Sequence, residues 1–272
     1  MMEKTDRKTR IAVVTGMLIK NPCKVYSLKV FCDMFGAAKS TMSEDIAILR
    51  NLLKKYGQGD IEVVLGAGGG VRYIPFILPE QKSDFLTDVA DKLSDPSRIL
   101  PGGYIYTADI LSNPQYVCTM ADILAGKFIK TNPDVVVTVE TKGIMLAFCV
   151  ARSLCKPLVI ARRDAKITEG SVVTINYLAG SSRTLRTMSL SRRAVCPGQK
   201  ALIIDDFIAG GGTLHALCEM MKEFSITVVG CGVAIATKLP EKKRIDNYKT
   251  LLMLSDVNAA QDHIEIHPFR TI

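Results

Sequence analysis

Residues 200–223 read KALIIDDFIAGGGTLHALCEMMKE. Residues 201–204 are a short unbroken apolar run, the mark of a strand buried on both faces of a parallel sheet, and the run stops at two adjacent carboxylates, Asp205 and Asp206. Phe207, Ile208, Ala209, Gly210, Gly211 and Gly212 then form a tight loop. Thr213 opens a helix carrying Leu214, Leu217, Met220 and Met221 at apolar spacing. A junction of strand, glycine loop and helix start aims free backbone N–H groups and the positive end of a helix dipole at one point, and glycine admits a phosphate without a Cβ in its way. Two aspartates at the lip of such an anion cradle repel a bare phosphate but accept hydrogen bonds from a vicinal diol. The ligand expected is therefore a phosphorylated sugar such as ribose 5-phosphate. A glycine-rich connection with two solvated aspartates is the alternative.

The rest of the chain sets the frame. At 272 residues and 48% hydrophobic content it is long enough for two domains with real cores. Its apolar runs break well before the roughly 18 residues that span a bilayer, and it starts charged, so a cytoplasmic location is expected. Eight scattered cysteines without a C-x-x-C pair, beside three histidines, read as reduced and mostly buried thiols with no zinc site. Of the net charge of +8, most sits in residues 1–74, which hold 12 basic against 7 acidic side chains. That bias suggests a polyanion partner for this segment; a solvated basic face would give the same count.

Residues 7–20 have helical spacing and end at Asn21-Pro22; a second helix runs from Ser27, a candidate N-cap, to Phe35, where Gly36 breaks it. Thr41 and Glu44 have the spacing of a capping box that starts a third helix. Met42, Ile46, Leu49 and Leu53 form its apolar face, leaving Lys39, Ser40, Ser43, Ala47, Arg50 and Lys54 towards the other. Residues 61–65 and 71–74 read as strands around a glycine turn, so the segment is a winged helix-turn-helix. In that arrangement Lys39, Ser40, Thr41, Ser43, Arg50 and Lys54 meet DNA, and the glycine-rich wing with Arg72 reaches backbone or minor groove. A helical cap on an enzyme is the bland alternative.

Residues 80–93 look like a connecting helix, and 101–106 like a strand. From there the chain alternates: helix 115–130, strand 135–139, helix 143–154, strand 158–161, then strands 172–177 and 186–191 around a polar hairpin, and strands 228–236 and 250–254 after the central stretch. This is an α/β pattern with a parallel sheet. Thr141, Lys142 and Gly143 follow the first of those strands at the sheet's carboxyl edge, where ligands of open α/β folds bind. Arg162, Arg163 and Lys166 follow the next and can neutralise phosphates or serve as a solvated basic loop. Tyr104 is placed at the edge of the site as a ligand cover, or else as a core tyrosine.

Hydrophobic strand, Asp-Asp, short link and Gly211-Gly212-Thr213 resemble the motif by which type I phosphoribosyltransferases bind phosphoribosyl pyrophosphate (PRPP), and Thr141-Lys142-Gly143 resembles their pyrophosphate loop. Those enzymes usually keep Thr or Ser before the Gly-Gly-Thr, for the 5-phosphate; this chain has Gly210. Gly36-Ala-Ala-Lys-Ser-Thr-Met-Ser-Glu-Asp45, Pro101-Gly-Gly-Tyr104, Glu140-Thr-Lys-Gly143, Thr168-Glu-Gly-Ser171, Ile175-Asn-Tyr177, Gly180-Ser-Ser182 and Met188-Ser-Leu190 extend the resemblance, over nearly the whole chain, to the PurR family of purine operon repressors of Gram-positive bacteria. It implies an N-terminal winged helix-turn-helix (residues 1–74) followed by a type I phosphoribosyltransferase-like effector domain (residues 75–272). It further implies a homodimeric repressor of purine genes that senses PRPP, with Mg²⁺, instead of consuming it. An active purine phosphoribosyltransferase with a nucleic-acid-binding appendage, and an RNA-binding protein, are the rival readings.

Overall fold

The computed structural model describes residues 5–75, 77–164, 170–179 and 184–269. The chain forms two compact units that part after Gln81.

The first unit begins with α1 (Arg7–Lys20), whose start is set by Asp6, a side chain that accepts a hydrogen bond from the Thr9 N–H at 2.9 Å. Helix α2 (Leu28–Phe35) stops at Gly36, which has φ +59°, a left-handed conformation that costs glycine little. Ser27 occupies the N-cap position but makes no capping hydrogen bond. Helix α3 (Lys39–Lys55) starts from Ala38, so the capping-box expectation is wrong: Thr41 and Glu44 lie inside the first turns. Nothing in Lys39 or Ser40 resists a helix, so it extends back to the turn left by Gly36. Glu44 instead meets Arg7 of α1 at 3.2 Å. Strands β1 (Asp60–Val64) and β2 (Gly70–Ile74) pair antiparallel, with Ile61 opposite Tyr73. Val14, Leu18, Phe31, Met42, Ile46, Leu49, Leu53, Ile61 and Val71 form the core. An ion pair sits in this apolar unit. Asp45, 1% exposed, receives Arg10 Nε at 2.7 Å and stands 3.1 Å from Arg7 Nε. Arg10, Val14 and Leu18 share the buried stripe of α1, four residues apart.

Helix α4 (Pro79–Leu93) spans the boundary after Gln81 and leads into the second unit. In place of a single strand at 101–106 there is a short antiparallel hairpin, β3 (Ile99–Leu100) with β4 (Tyr104–Ile105), turned by Gly102 and Gly103 at positive φ. The short α5 (Ala108–Leu111) was not legible; α6 (Pro114–Phe128) is capped by the Asn113 side chain. Strand β5 (Val135–Val139), helix α7 (Ile144–Leu154) and strand β6 (Leu158–Ala161) follow. Next come the hairpin of β7 (Val172–Ala179) and β8 (Thr184–Ser191), strand β9 (Lys200–Ile208), helix α8 (Gly212–Glu223), and strands β10 (Thr227–Thr237), β11 (Lys249–Asn258) and β12 (His263–Pro268).

The main sheet has the order β12-β11-β10-β9-β5-β6, parallel throughout except for the antiparallel edge strand β12, which sequence reading missed. Strand β9 also runs four residues further than expected. Asp205 and Phe207 remain paired with Val233 and Ile235 of the long β10, so the carboxylates sit within the strand and the connecting loop shrinks to three residues, Ala209 to Gly211.

Candidate ligand site and nucleic-acid surface

The order of strands locates a candidate ligand site. From β5 the chain crosses to β6 on one side, whereas β9 lies on the other, so the carboxyl ends of β5 and β9 flank the point where the winding direction switches. Open α/β sheets bind ligands in the crevice at such a point. Both loops singled out in the sequence emerge there. Gly143 follows β5 and is buried against β9: a Cβ on it would lie 2.5 Å from Asp205 Oδ1 and 2.9 Å from Thr138 Oγ1. The Glu140–Thr141 peptide just before it is cis. Thr141 and Lys142 are exposed at the mouth.

After β9, Gly211 takes the N-cap of α8 with φ +78°, and Phe207, Ile208, Ala209, Gly210, Gly211, Gly212 and Thr213, with Leu214, line a cleft of about 170 Å³ at the helix N-terminus. The free N–H groups and dipole of α8 converge on that cleft. A segment that sequence reading overlooked holds the loop from behind. The Arg244 N–H donates to the Gly210 carbonyl at 3.0 Å, and a Cβ on Gly211 would stand 3.2 Å from Ile245 Cγ2. Lys243, 7% exposed, folds this segment by donating to the Pro240 carbonyl at 3.1 Å and the Thr237 hydroxyl at 3.3 Å. A lysine in a run of polar residues carries no sequence signal for that task.

Asp205 is 6% exposed and accepts the Asp206 N–H at 2.9 Å, while Asp206 is half-buried. Burial, and then the neighbouring Asp206 carboxylate, push the Asp205 carboxyl well above the usual carboxylate range; Arg163 acts in the opposite sense. Thr138 Oγ1 is buried and makes no hydrogen bond among the described residues. The site thus has a buried acid poised to accept or share a proton, a half-open acid beside it, and a cradle of N–H groups one loop away.

The remaining predicted ligand residues are distributed unequally. Arg162 faces Glu140 at 3.5 Å, and its backbone bridges to Ser189 of β8; Glu140 also accepts the Arg163 N–H at 2.7 Å, joining the loops after β5 and β6. Tyr104 is 67% exposed on the β3–β4 hairpin, outside the main sheet, which overturns the core-tyrosine alternative. Lys166, residues 168–169 of the Thr-Glu-Gly-Ser match and the hairpin tip at 180–183 lie outside the described residues. All eight cysteines are free, but only Cys23 and Cys231 are buried, which corrects the expectation of mostly buried thiols. Their scatter along the chain places several on partly open helix faces.

In the first unit Lys39, Ser40 and Ser43 are exposed at the start of α3 and Thr41 is half-buried. Arg50 and Lys54 are less available than their positions suggest, because both pair with Asp60 of β1, at 2.9 and 3.1 Å. Burial works to raise the Asp60 carboxyl, yet hydrogen bonds from Arg50 and Lys54 hold it below the ordinary range. Arg72 pairs with Glu62 across the hairpin at 2.7 Å and sits two residues from the glycine turn.

Among the described residues, no helix is long and apolar enough to cross a membrane and no His, Cys, Asp or Glu cluster is built to hold a metal. Residues 6–75 match the family described as bacterial purine repressor, N-terminal, and residues 107–266 match the phosphoribosyl transferase domain. The chain is 40% identical over 263 residues to the purine biosynthesis transcriptional repressor PurR of Bacillus subtilis (strain 168), covering 97% of this chain and 92% of that protein. It is 36% identical over 260 residues to the purine biosynthesis transcriptional activator PurR of Lactococcus lactis subsp. lactis (strain IL1403), covering 96% of each. Its fold is similar to the crystal structure of adenine phosphoribosyltransferase from Rhodothermus marinus DSM 4252, at a TM-score of 0.54 and 25% identity, covering 63% of this chain and 99% of that one. With both units matched and the likeness running end to end, this chain belongs to the PurR family of bacterial purine-biosynthesis transcription regulators.

Proposed function

We propose that this chain is a repressor of purine biosynthesis genes that binds duplex DNA through its first unit and binds PRPP as an effector through its second. The observation that carries the reading is the packing of Gly143 against Asp205 at the sheet's switch point, with the Gly210–Gly212 turn and the α8 N-terminus following at the end of the same strand. That arrangement suits a ribose bearing a 5-phosphate: the α8 N-terminus takes the phosphate, the Asp205–Asp206 pair takes the diol, and the loop at Thr141, Lys142 and Gly143 takes the pyrophosphate. Arg162 and Arg163 add positive charge at the same edge. Mg²⁺ fits this chemistry, since it binds through one or two carboxylates together with ligand phosphates, and Asp206 is the half-open carboxylate available. Bound there, it would neutralise charge on the pyrophosphate.

Sensing follows from linkage. If PRPP changes operator affinity by some factor, operator changes PRPP affinity by the same factor. The chain works as a homodimer that recognises a paired DNA site, and it does not transfer the phosphoribosyl group: catalysis needs more than a cradle for the ground state, and Gly210 stands where the enzymes keep a hydroxyl for the 5-phosphate. A gel shift on the region upstream of a purine biosynthesis operon, with and without PRPP and Mg²⁺, tests the reading. The expected result is a PRPP-dependent change in affinity. Nucleotide formation on incubation with PRPP and adenine, guanine, hypoxanthine or xanthine would favour the transferase alternative.

A further inference from the structure

A cleft of about 770 Å³ runs between the helices of the first unit and the β1–β2 hairpin. Lys29 of α2 and Lys39, Ser43 and Arg50 of α3 line one wall; Val63 and Leu65 line the other. Charge is unevenly available around it. Arg50, Lys54 and Arg72 are each engaged by Asp60 or Glu62, whereas Lys29 and Lys39 have no ion partner among the described residues. The hairpin tip is unusual in the opposite sense. Residues 63–71 contain no charged side chain, yet Leu65, directly before the glycine turn, is 89% exposed and Val63, on the same side of the strand, is 56% exposed.

A single sugar–phosphate strand separates the major from the minor groove of a duplex. A helix in the first and a hairpin in the second leave that strand between them, in a cleft whose walls need cations for phosphates and apolar carbon for deoxyribose. Apolar side chains on minor-groove binders pack against sugars and wedge between base steps. We propose that Leu65 is an apolar minor-groove contact and that Lys29, with Lys39, grips the phosphates of the strand seated in the cleft. The wing then reads DNA with carbon, and Arg72 serves the hairpin internally through Glu62. This rests on the reading that the first unit binds duplex DNA.

The test is fluorescence anisotropy of the full chain on a duplex from upstream of a purine biosynthesis operon, across a salt series. Wild-type binding itself reports on the regulator reading; ratios among variants report on Leu65 and Lys29. Leu65→Ala and Leu65→Asn should each weaken binding about ten-fold, the scale of one buried leucine side chain, with no change in the slope of log K against log salt. Lys29→Ala and Lys39→Ala should each lower that slope by about 1. Netropsin, which occupies the minor groove, should compete with the wild type and much less with Leu65→Ala. Leu65 is too exposed for its loss to endanger folding. Wild-type affinity in both Leu65 variants, or an unchanged slope in Lys29→Ala, would overturn the proposal. A Leu65→Ala defect that sedimentation traces to lost self-association would overturn it equally.

Discussion

Replacing Gly143 by alanine adds one methyl group where two strands and a loop converge. Built on the existing backbone, the new Cβ stands 2.5 Å from Asp205 Oδ1, 2.9 Å from Thr138 Oγ1 and 3.2 Å from Asp205 Cα. Two of those atoms are too close for contact, and the third is backbone of a central strand flanked by β5 and β10, so β9 has little room to retreat. Forcing an extra carbon into a packed site costs about 1–3 kcal/mol. If the loop at Thr141, Lys142 and Gly143 shifts outward to relieve the clash, PRPP must pull it back on binding, and the same energy is lost from affinity, a factor of about 5–150 in Kd. Titration calorimetry with PRPP and Mg²⁺ reads the affinity, and thermal unfolding reads any part taken by stability. Gly126→Ala is the control, because a Cβ at Gly126 of α6 meets nothing within 4 Å; it should stabilise by about 0.5–1 kcal/mol and leave PRPP binding alone. Gly143→Ala with both Kd and melting temperature at wild-type values would show that Gly143 and Asp205 are not held against each other, and the ligand site as described would fail.

Three further outcomes follow from particular contacts. Asp205→Asn should abolish PRPP binding and yet raise stability at neutral pH. The folded state lifts the Asp205 pKa, so ionisation opposes folding from about pH 3.9, the usual unfolded value, upward through the folded pKa. The gain should therefore be absent near pH 3 and grow as pH rises; urea denaturation at several pH values checks this, and a destabilised variant at pH 7 refutes it. Asp45→Ala leaves Arg10 buried and unpaired, at a cost of about 3–5 kcal/mol, and should unfold the first unit early in a thermal scan and remove DNA binding while PRPP binding persists. A loss below about 1 kcal/mol would show that the pair is dispensable. Lys243→Met strips two hydrogen bonds from the segment behind the Gly210–Gly212 turn and should weaken ribose 5-phosphate binding by about 1–2 kcal/mol without altering DNA affinity. Unchanged calorimetry with ribose 5-phosphate would deny the segment its bracing role.

Local signals in the chain sufficed for much of this. Apolar periods of two and 3.6 placed nearly all the elements, since each helix and strand buries one face whatever its neighbours are. Gly36, Asn21-Pro22 and the glycines at 210–212 marked ends and turns because backbone conformation there depends on the residue itself. The glycine turn and helix start after Asp205 and Asp206 were visible because their signals lie in consecutive residues. What depended on distant partners was not visible. Strand β9 passes through its two aspartates because β10 continues beside it, and a carboxylate ending an apolar run reads as a strand end when that neighbour is unknown. The edge strand β12, with polar residues alternating outward, resembles an exposed tail until β11 pairs with it. Arg50, Lys54 and Arg72 looked like free cations on a recognition surface, and only the fold brought Asp60 and Glu62 to them. The same holds for Lys243 behind Gly210 and for Asp45 beneath Arg10: a charge's role is set by what lies within a few ångströms, and sequence distance does not encode that separation.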